Sequence, residues 1–279
     1  MKERVTLTLE RSILEKVDKS VNGSKVKNRS HAVEMLLRQA IGFDKPTKAL
    51  ILAGGKGSRL KFLSKGLPKP LMEINGKSII QYNIELFKKH GIKEIIISVG
   101  YKAEQIKKKL GEGKRLGVNI TYIEEKNALG TAGPLKLAKH LLKETFIMCN
   151  ADELKDIDLN DMCAFHHSNK SIGTIALTTV KDPNAYGVAL LNGNKIITFV
   201  EKPSKENAPS NLINAGLYIL NPEVIDYIPE GYAMIETELF PKLASEEKLC
   251  GYPFSGQWFD TGTPERFKKA KSKWRGFLK

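Results

Sequence analysis

Long apolar runs are missing from this 279-residue chain. A membrane-spanning helix needs roughly 20 consecutive apolar residues, and no stretch approaches that, so no membrane span is expected. Cysteine is scarce. Cys149, Cys163 and Cys250 are odd in number, far apart and without metal-ligand spacing. That argues against a disulfide framework and a zinc site, and the three read as reduced core thiols of a cytoplasmic protein. The first residues, MKERVTLTLERS, carry charge throughout and no apolar h-region, so no secretory signal is expected. There is no internal repeat and no low-complexity tract. In particular, no hexapeptide repeat follows the last helical segment, so an appended β-helix is not expected.

What is present describes a globular protein. Hydrophobic residues make up 41% of the chain and charges of both signs are mixed along it, unlike a disordered sequence. The length allows one large domain and a small one. The net charge of +14 points to polyanionic partners or phosphate-bearing ligands, or else to a lysine-rich solvated surface.

The first 42 residues have a pattern of their own. Val5, Leu7 and Leu9 alternate with Arg4, Thr6 and Thr8, which predicts a strand with one apolar face. Ile13, Leu14, Val17 and Val21 then recur at helical spacing. After Asn22-Gly23-Ser24, Val33, Leu36, Leu37, Ala40 and Ile41 fall on one face of a second helix, with Ser30 as the expected N-cap. One strand and two short helices bury little. The strand needs a neighbour, and a second copy of the chain would supply it as a two-stranded ribbon across a twofold axis, making a homodimer.

Residues 2–43 resemble the ribbon-helix-helix family of DNA-binding proteins. The resemblance implies a ribbon that enters the major groove, with Arg4, Thr6 and Thr8 facing base edges. It also implies a phosphate contact at the start of the second helix, near Arg29 and Ser30. A dimerising arm without a DNA role is the plainer alternative. The expected domains are therefore 1–44, a ribbon-helix-helix module, and 45–279.

Gly42 and Pro46 mark the joint, GFDKPTK. From Lys48 onward strand-like and helix-like segments alternate: ALILA, SIIQYNIELFKKHG, EIIISVG, AEQIKKKLGEG, NITYIEE, PLKLAKHLLK and TFIMCNAD. That order predicts a Rossmann-like α/β domain with a mixed, mostly parallel central sheet and ligands at the strands' C-terminal ends. The second half is richer in strands, with SIGTIALTTV, GVALLN, KIITFVEKP and AGLYIL.

ALILAGGKGSRLKFLSKGLPKPL, residues 49–71, is the informative stretch. A Walker loop is excluded, because no Gly-Lys-Ser/Thr follows at the required spacing. The dinucleotide fingerprint would need a third glycine at position 60, which is leucine. What remains is Gly54-Gly55-x-Gly57-Ser58-Arg59, followed by Lys69 between Pro68 and Pro70. Such glycines let successive backbone N–H groups point at one anion, Arg59 adds a fork for phosphate oxygens, and Lys69 adds a point charge.

With this stretch, the blocks EEKNALGTAGPL (124–135), NAD (150–152), YGV (186–188), EKP (201–203), NAGLYIL (214–220), ETELFP (236–241) and WFDTGTPERF (258–267) resemble, in order, the sugar-nucleotide pyrophosphorylases. GTAGPL, NAGLYIL and ETELFP look most like mannose-1-phosphate guanylyltransferases. The resemblance covers nearly all of residues 48–270. It implies attack by a sugar 1-phosphate on the α-phosphorus of a nucleoside triphosphate, with pyrophosphate leaving and no nucleophilic side chain. Asp152 and Asp260 would hold Mg²⁺. Arg59 would grip the departing pyrophosphate and Lys69 the phosphates near the reacting centre. Lys202 would pair with the sugar phosphate and Glu201 would accept from sugar hydroxyls, while Gly187 and Asn214 would line the sugar pocket. Leu52, Ala53, Gly54 and Gly130 would frame the base. Two departures stand out: Ala151 replaces a usual glycine, and Lys61-Phe62-Leu63 replaces a proline-containing stretch.

Glu125 stands where uridylyl and thymidylyl members often carry glutamine. A carboxylate only accepts hydrogen bonds. Guanine offers two adjacent donors, whereas uracil and thymine offer one donor between two acceptors, so GTP is favoured. Two alternatives remain open. One is a transferase for dTTP or UTP with glucose 1-phosphate. The other is a DNA-binding regulator whose larger domain senses sugar nucleotides.

Overall fold

The computed structural model describes residues 5–21, 23, 26–40, 45–57, 60 and 66–277, leaving aside the side chains of residues 38–40. Arg4, Ser58 and Arg59 lie outside the described residues. The chain separates into two compact units, Met1–Lys45 and Pro46–Lys279.

The first unit contains helices α1 (Arg11–Ser20) and α2 (Arg29–Ala40). Arg29 joins them through a two-pronged pair with Asp18, with Nε to Oδ1 and the terminal guanidinium nitrogen to Oδ2 both at 2.7 Å. The expected cap is displaced by two residues. Asn28, not Ser30, caps α2: its Oδ1 accepts the His31 N–H at 2.9 Å, and Ser30 lies inside the first turn. The strand predicted over Val5–Leu9 does not form in the single chain. Residues 5–10 are in no ladder, because a strand needs a neighbour for its N–H and C=O groups. Thr6 and Thr8 are exposed. Of this unit's apolar side chains, Val17 and Ala32 are buried, while Val5, Leu7, Ile13, Leu36 and Leu37 stay exposed.

The second unit is built on a nine-stranded sheet. Its strands in chain order are β1 (Lys48–Ala53), β4 (Glu94–Val99), β5 (Asn119–Glu124), β6 (Phe146–Asn150), β8 (Gly173–Thr179), β9 (Gly187–Asn192), β10 (Lys195–Glu201), β11 (Leu212–Leu220) and β12 (Leu249–Pro253). Their spatial order is β5-β4-β1-β6-β11-β8-β12-β10-β9. Two short ribbons complete the unit, β2 (Glu73–Ile74) with β3 (Lys77–Ser78), and β7 (Glu153–Lys155) with β13 (Trp258–Asp260).

Strands β5, β4, β1 and β6 run parallel, as the alternation of segments predicted. Beyond β6 the expectation of a mostly parallel sheet fails. β11 is antiparallel to β6 and β8, and β10 is antiparallel to β12 and β9; only β12 with β8 returns to parallel. Strand propensity does not encode pairing direction, and the helices that parallel crossovers require are sparse in this half.

Alternation along the strands fills two cores. Ala49, Ile51 and Ala53 face one side with Ile95, Ile97, Ile147 and Cys149. Leu50, Ile96, Phe146 and Met148 face the other. The first side is covered by α3 (Ile79–Lys89), α4 (Ala103–Leu110) and α6 (Leu159–Asn169). The second is covered by α5 (Gly133–Leu137) and α7 (Phe240–Ser245). α5 is shorter than the ten-residue segment read from the sequence. The Leu141 and Leu142 N–H groups both donate to the Ala138 carbonyl, and the chain leaves the helix through turns. Helix α8 (Pro264–Lys273) follows β13. All three cysteines are buried and outside any disulfide, and burial pushes the Cys149 thiol up to about 12. Among the described residues no helix is long and apolar enough to cross a membrane.

Candidate active site

The candidate residues gather at the C-terminal ends of β1 and β6, where an open parallel sheet leaves its ligand crevice. After β1 the backbone passes Gly54 tightly. A Cβ at Gly54 would overlap the Glu125 carboxylate, and the Gly54 carbonyl accepts the Tyr101 N–H at 3.1 Å. Gly57 has φ +57° and sits 3.1 Å, at its would-be Cβ, from Lys69 Cβ. The loop glycines therefore bring backbone against two candidate side chains. Ser58 and Arg59, which continue the loop, lie outside the described residues.

Lys69 opens a short 3₁₀ turn, Lys69–Leu71, with a proline on either side. The residue is 8% exposed, and its ammonium pairs with the Asp152 carboxylate. Asp152 lies in the turn after β6, one residue beyond Ala151. Its side chain is 37% exposed. The desolvation it does suffer pushes its carboxyl up, but Lys69, aided by Lys155, outweighs that and holds it below the ordinary carboxylate range.

The ribbon of β7 with β13 brings in Asp260, 108 residues later in the chain. Its register places Asp260 opposite Glu153, and the Thr261 hydroxyl donates to the Asp152 carbonyl at 2.6 Å. Asp260 accepts from Arg266 at 2.5 Å and from the Gly262 N–H at 2.6 Å. Tyr186, with its hydroxyl 3.4 Å from Asp260, lies under the Arg266 guanidinium, 4.7 Å from the ring centroid. Asp152, in the turn just before β7, and Asp260, at the end of β13, thus come to the same end of this ribbon.

No group of three or more His, Cys, Asp or Glu arranged to hold a metal occurs among the described residues. Two hard-oxygen side chains suit Mg²⁺, which takes one or two carboxylates and completes its shell with water and substrate phosphate oxygens. The donor set fits that ion and would not make a closed structural site.

The sugar-side candidates lie on β9 and β10. Gly187 pairs with Glu201, and a Cβ there would overlap the Phe199 ring and crowd Glu201. Lys202 has φ +47°, a left-handed conformation unusual for a residue with a Cβ, held by its N–H to the Tyr186 carbonyl at 3.0 Å. Its ammonium reaches Glu201 Oε1 at 2.7 Å. Asn214 does not offer a free amide. Its Nδ2 donates to the Tyr218 hydroxyl at 3.0 Å and its Oδ1 accepts the Gly216 N–H at 2.9 Å.

On the base side, Glu125 is fixed from two directions. The Ser98 hydroxyl donates to Oε1 at 2.7 Å, and the Leu129 N–H donates to Oε2 at 3.1 Å. Gly130, at φ +76°, has no room for a Cβ beside the Ala233 carbonyl.

Several residues of the site were not singled out in the sequence. Glu236, inside the ETELFP block, is 7% exposed. It accepts the Thr131 hydroxyl at 2.5 Å. Burial raises its carboxyl despite that bond. Glu153, Lys155, Trp258, Tyr186 and Arg266 surround the two aspartates. Only their positions inside or beside quoted blocks could have flagged them. A cleft of about 860 Å³, lined in part by Lys89, His90, Asp158, Tyr252 and Phe254, contains none of the candidate residues.

Comparison with known proteins places this arrangement. Residues 48–275 match the Nucleotidyl transferase family. Over 227 residues the chain is 43% identical to mannose-1-phosphate guanyltransferase 2 of Candida glabrata, covering 79% of this chain and 62% of that one. It is 41% identical over 226 residues to the mannose-1-phosphate guanylyltransferase catalytic subunit beta of Drosophila melanogaster, covering 79% and 61%. The chain therefore spans less than two thirds of the length of these relatives. Among solved structures, a Bacillus anthracis protein described as a candidate glucose-1-phosphate thymidylyltransferase superposes with a TM-score of 0.76 at 27% identity, covering 83% of this chain and 96% of that one. The chain belongs to the nucleotidyl transferase family.

Proposed function

We propose that this nucleotidyl transferase joins GTP and mannose 1-phosphate, releasing pyrophosphate and forming GDP-mannose. The observation that carries the reading is that Asp152, in the turn after β6 and beside the buried Lys69, has Asp260 brought next to its chain segment by the β7–β13 ribbon. A sugar phosphate oxygen attacks the α-phosphorus in line with the departing pyrophosphate, so the site must gather negative charge and stabilise more of it as the bond breaks. Lys69 provides a fixed positive charge next to Asp152. Lys202 would hold the sugar phosphate and Glu201 the hydroxyls, with Gly187 leaving the space beside them. Arg59 would receive the pyrophosphate. Asp152 and Asp260 would hold Mg²⁺, which supplies charge neutralisation on the reacting phosphates when bound.

The base assignment rests on Glu125. Its two oxygens are oriented by Ser98 and Leu129, and a fixed carboxylate matches the N1–H and 2-amino donors of guanine. Leu52, Ala53, Gly54, Gly55, Gly57 and Gly130 would provide backbone around the nucleotide. The names of the relatives agree with this choice. The test is pyrophosphate release from GTP, UTP, dTTP, CTP and ATP, each with mannose and glucose 1-phosphates and Mg²⁺. Fastest turnover with GTP and mannose 1-phosphate is expected. Fastest turnover with dTTP or UTP and glucose 1-phosphate would overturn the base and sugar, and no turnover with any pair would overturn the activity.

A second reading concerns residues 1–45 and rests on their exposed leucines and valine. We infer that this unit pairs with a second copy of itself as a ribbon-helix-helix dimer and contacts DNA through Arg4, Thr6 and Thr8, with Ser30 near a phosphate. Arg29 is engaged with Asp18 and would act by joining the helices. Salt-dependent DNA binding that disappears on deletion of residues 1–45 is expected. Equal binding by the deleted protein would overturn it.

A further inference from the structure

Lys155 is a buried lysine to which the proposed chemistry assigns no substrate contact. Its side chain has no exposure at all. Its ammonium donates to the Gly216 carbonyl at 2.9 Å and stands 3.7 Å from Glu153 Oε2. Burying an ammonium is costly, and apolar replacements of buried ion pairs are often neutral or stabilising. The lysine therefore calls for an explanation other than stability.

The partner of that ammonium is an irregular piece of β11. Asn214 pairs with Leu177 on β8, but the next pair with that strand is Tyr218 with Ile175, and pairing with β6 begins at Leu217. Ala215 and Gly216 are paired with neither strand, so their carbonyls need other donors. The Gly216 carbonyl takes Lys155. The Ala215 carbonyl takes the Trp258 indole N–H at 3.3 Å, and the same N–H lies 3.2 Å from Glu153 Oε2. Gly216 itself has φ +60°, and any Cβ there would overlap the Glu153 carboxylate. The Gly216 N–H is held by Asn214 Oδ1 at 2.9 Å. From the other side, Asn83 Nδ2 donates to the Glu153 carbonyl at 3.2 Å.

The bulge is thus clamped to the ribbon that begins just after Asp152 and ends in Asp260. Lys155 and Glu153 come from β7, and Trp258 from β13. Just before the bulge, Ile213 pairs with Val188 on β9, next to Gly187.

We propose that Lys155, Glu153 and Trp258 form a clamp that positions the Asn214–Gly216 bulge, and with it the sugar 1-phosphate pocket, against the β7–β13 ribbon, which starts just after Asp152 and ends in Asp260. These are positioning residues, not residues that touch substrate. The sugar-pocket part rests on the nucleotidyltransferase reading above, while the clamp itself does not.

The experiment uses the full chain with Lys155→Met, the double variant Lys155→Met with Glu153→Gln, and Trp258→Phe. The double variant leaves no unpaired charge, and Trp258→Phe keeps an aromatic ring while removing one donor, so a folding failure of one variant leaves the others. The first readout is amide exchange at residues 214–217, which needs no substrate. Exchange at Gly216 at least about tenfold faster than wild type, with β6 unchanged and the melting temperature not lowered in the double variant, is expected. Unchanged exchange at Gly216 would overturn the clamp. The second readout is steady-state kinetics. KM for the sugar 1-phosphate should rise about tenfold while KM for the triphosphate stays within about twofold. Equal changes in both, or none, would overturn the link to the sugar pocket. If the wild type turns over no substrate pair, the nucleotidyltransferase reading and the sugar-pocket link fall together, and the exchange data still decide the clamp.

Discussion

Leu36 and Leu50 are the same side chain in two settings. Leu50, in the centre of β1, is fully buried between strands that pair with it on both sides. Leu36, on α2 of the small unit, is 48% exposed, and Leu37 beside it is 50% exposed. Fully burying a leucine is worth about 2 kcal/mol. The sheet unit collects that gain many times over from its own chain. Residues 1–45 bury only Val17 and Ala32 among their described apolar side chains. The large unit buries an apolar core within a single chain, while the small one leaves Leu7, Leu36 and Leu37 exposed. Chemistry should then belong to the first and association to the second.

The sharpest way to break that division is to separate the two. Deleting residues 1–45 should leave kcat/KM within about twofold, whereas Asp152→Ala or Asp260→Ala in the full chain should lower it by about a thousandfold or more. Pyrophosphate release measures both. A deletion as damaging as the aspartate changes would place part of the chemistry in the small unit, and near-normal rates in both aspartate variants would remove the metal assignment.

Local pattern carried the sheet unit far. The apolar runs ALILA and EIIISVG located β1 and β4, and the family resemblance of the glycine loop, NAD and WFDTG is what pointed to both aspartates. Pairing direction was not legible beyond β6, since an antiparallel strand and a parallel one draw on the same residues. Nor were the buried charged groups. Lys155, Glu153 and Glu236 are residue types that ordinarily face water, and only the fold shows Lys155 closing a bulge 61 residues away. In the small unit the apolar alternation of Val5, Leu7 and Leu9 is plain in the sequence. Whether it becomes a strand depends on a neighbour that the single chain does not contain.

The next effect lies within the sheet unit. His166 is buried, with ring nitrogens 2.8 Å from Thr174 Oγ1 and 3.2 Å from Asn221 Oδ1. Burial pulls its imidazole down from 6.5 to about 4. The folded group stays neutral where the unfolded one takes a proton. The stability it contributes is therefore complete above about pH 6.5 and is lost as the pH falls toward 4, by about 3 kcal/mol in all. Denaturant titrations across that window should show a flatter acid limb for His166→Gln than for the wild type. Identical limbs would remove the imidazole as the cause.

Association should respond to the exposed leucines. Leu36→Lys with Leu37→Lys places two charges on the face proposed to pair. The dissociation constant of the proposed dimer should rise about a hundredfold by sedimentation, with pyrophosphate release per chain unchanged. Unchanged association would show that the exposed face is not what joins the copies.

The smallest effect compares the units most directly, because the same interaction occurs in both. Asn28 caps α2 through the His31 N–H, and Asp158 caps α6 through the Asn160 N–H at 2.8 Å. Losing such a cap typically costs about 1 kcal/mol wherever it sits. Its visibility depends on what else holds the helix. Leu159, Met162 and Cys163 anchor α6 in the sheet's core, so Asp158→Ala should lower the melting temperature by only a few degrees. α2 has little burial in its own chain, and 1 kcal/mol is a large share of what a 45-residue unit can have. Asn28→Ala should therefore loosen residues 11–40 in amide exchange at low protein concentration and lose that effect at high concentration, where pairing would restore the missing burial. A concentration-independent loss would show that the small unit is stabilised within one chain after all.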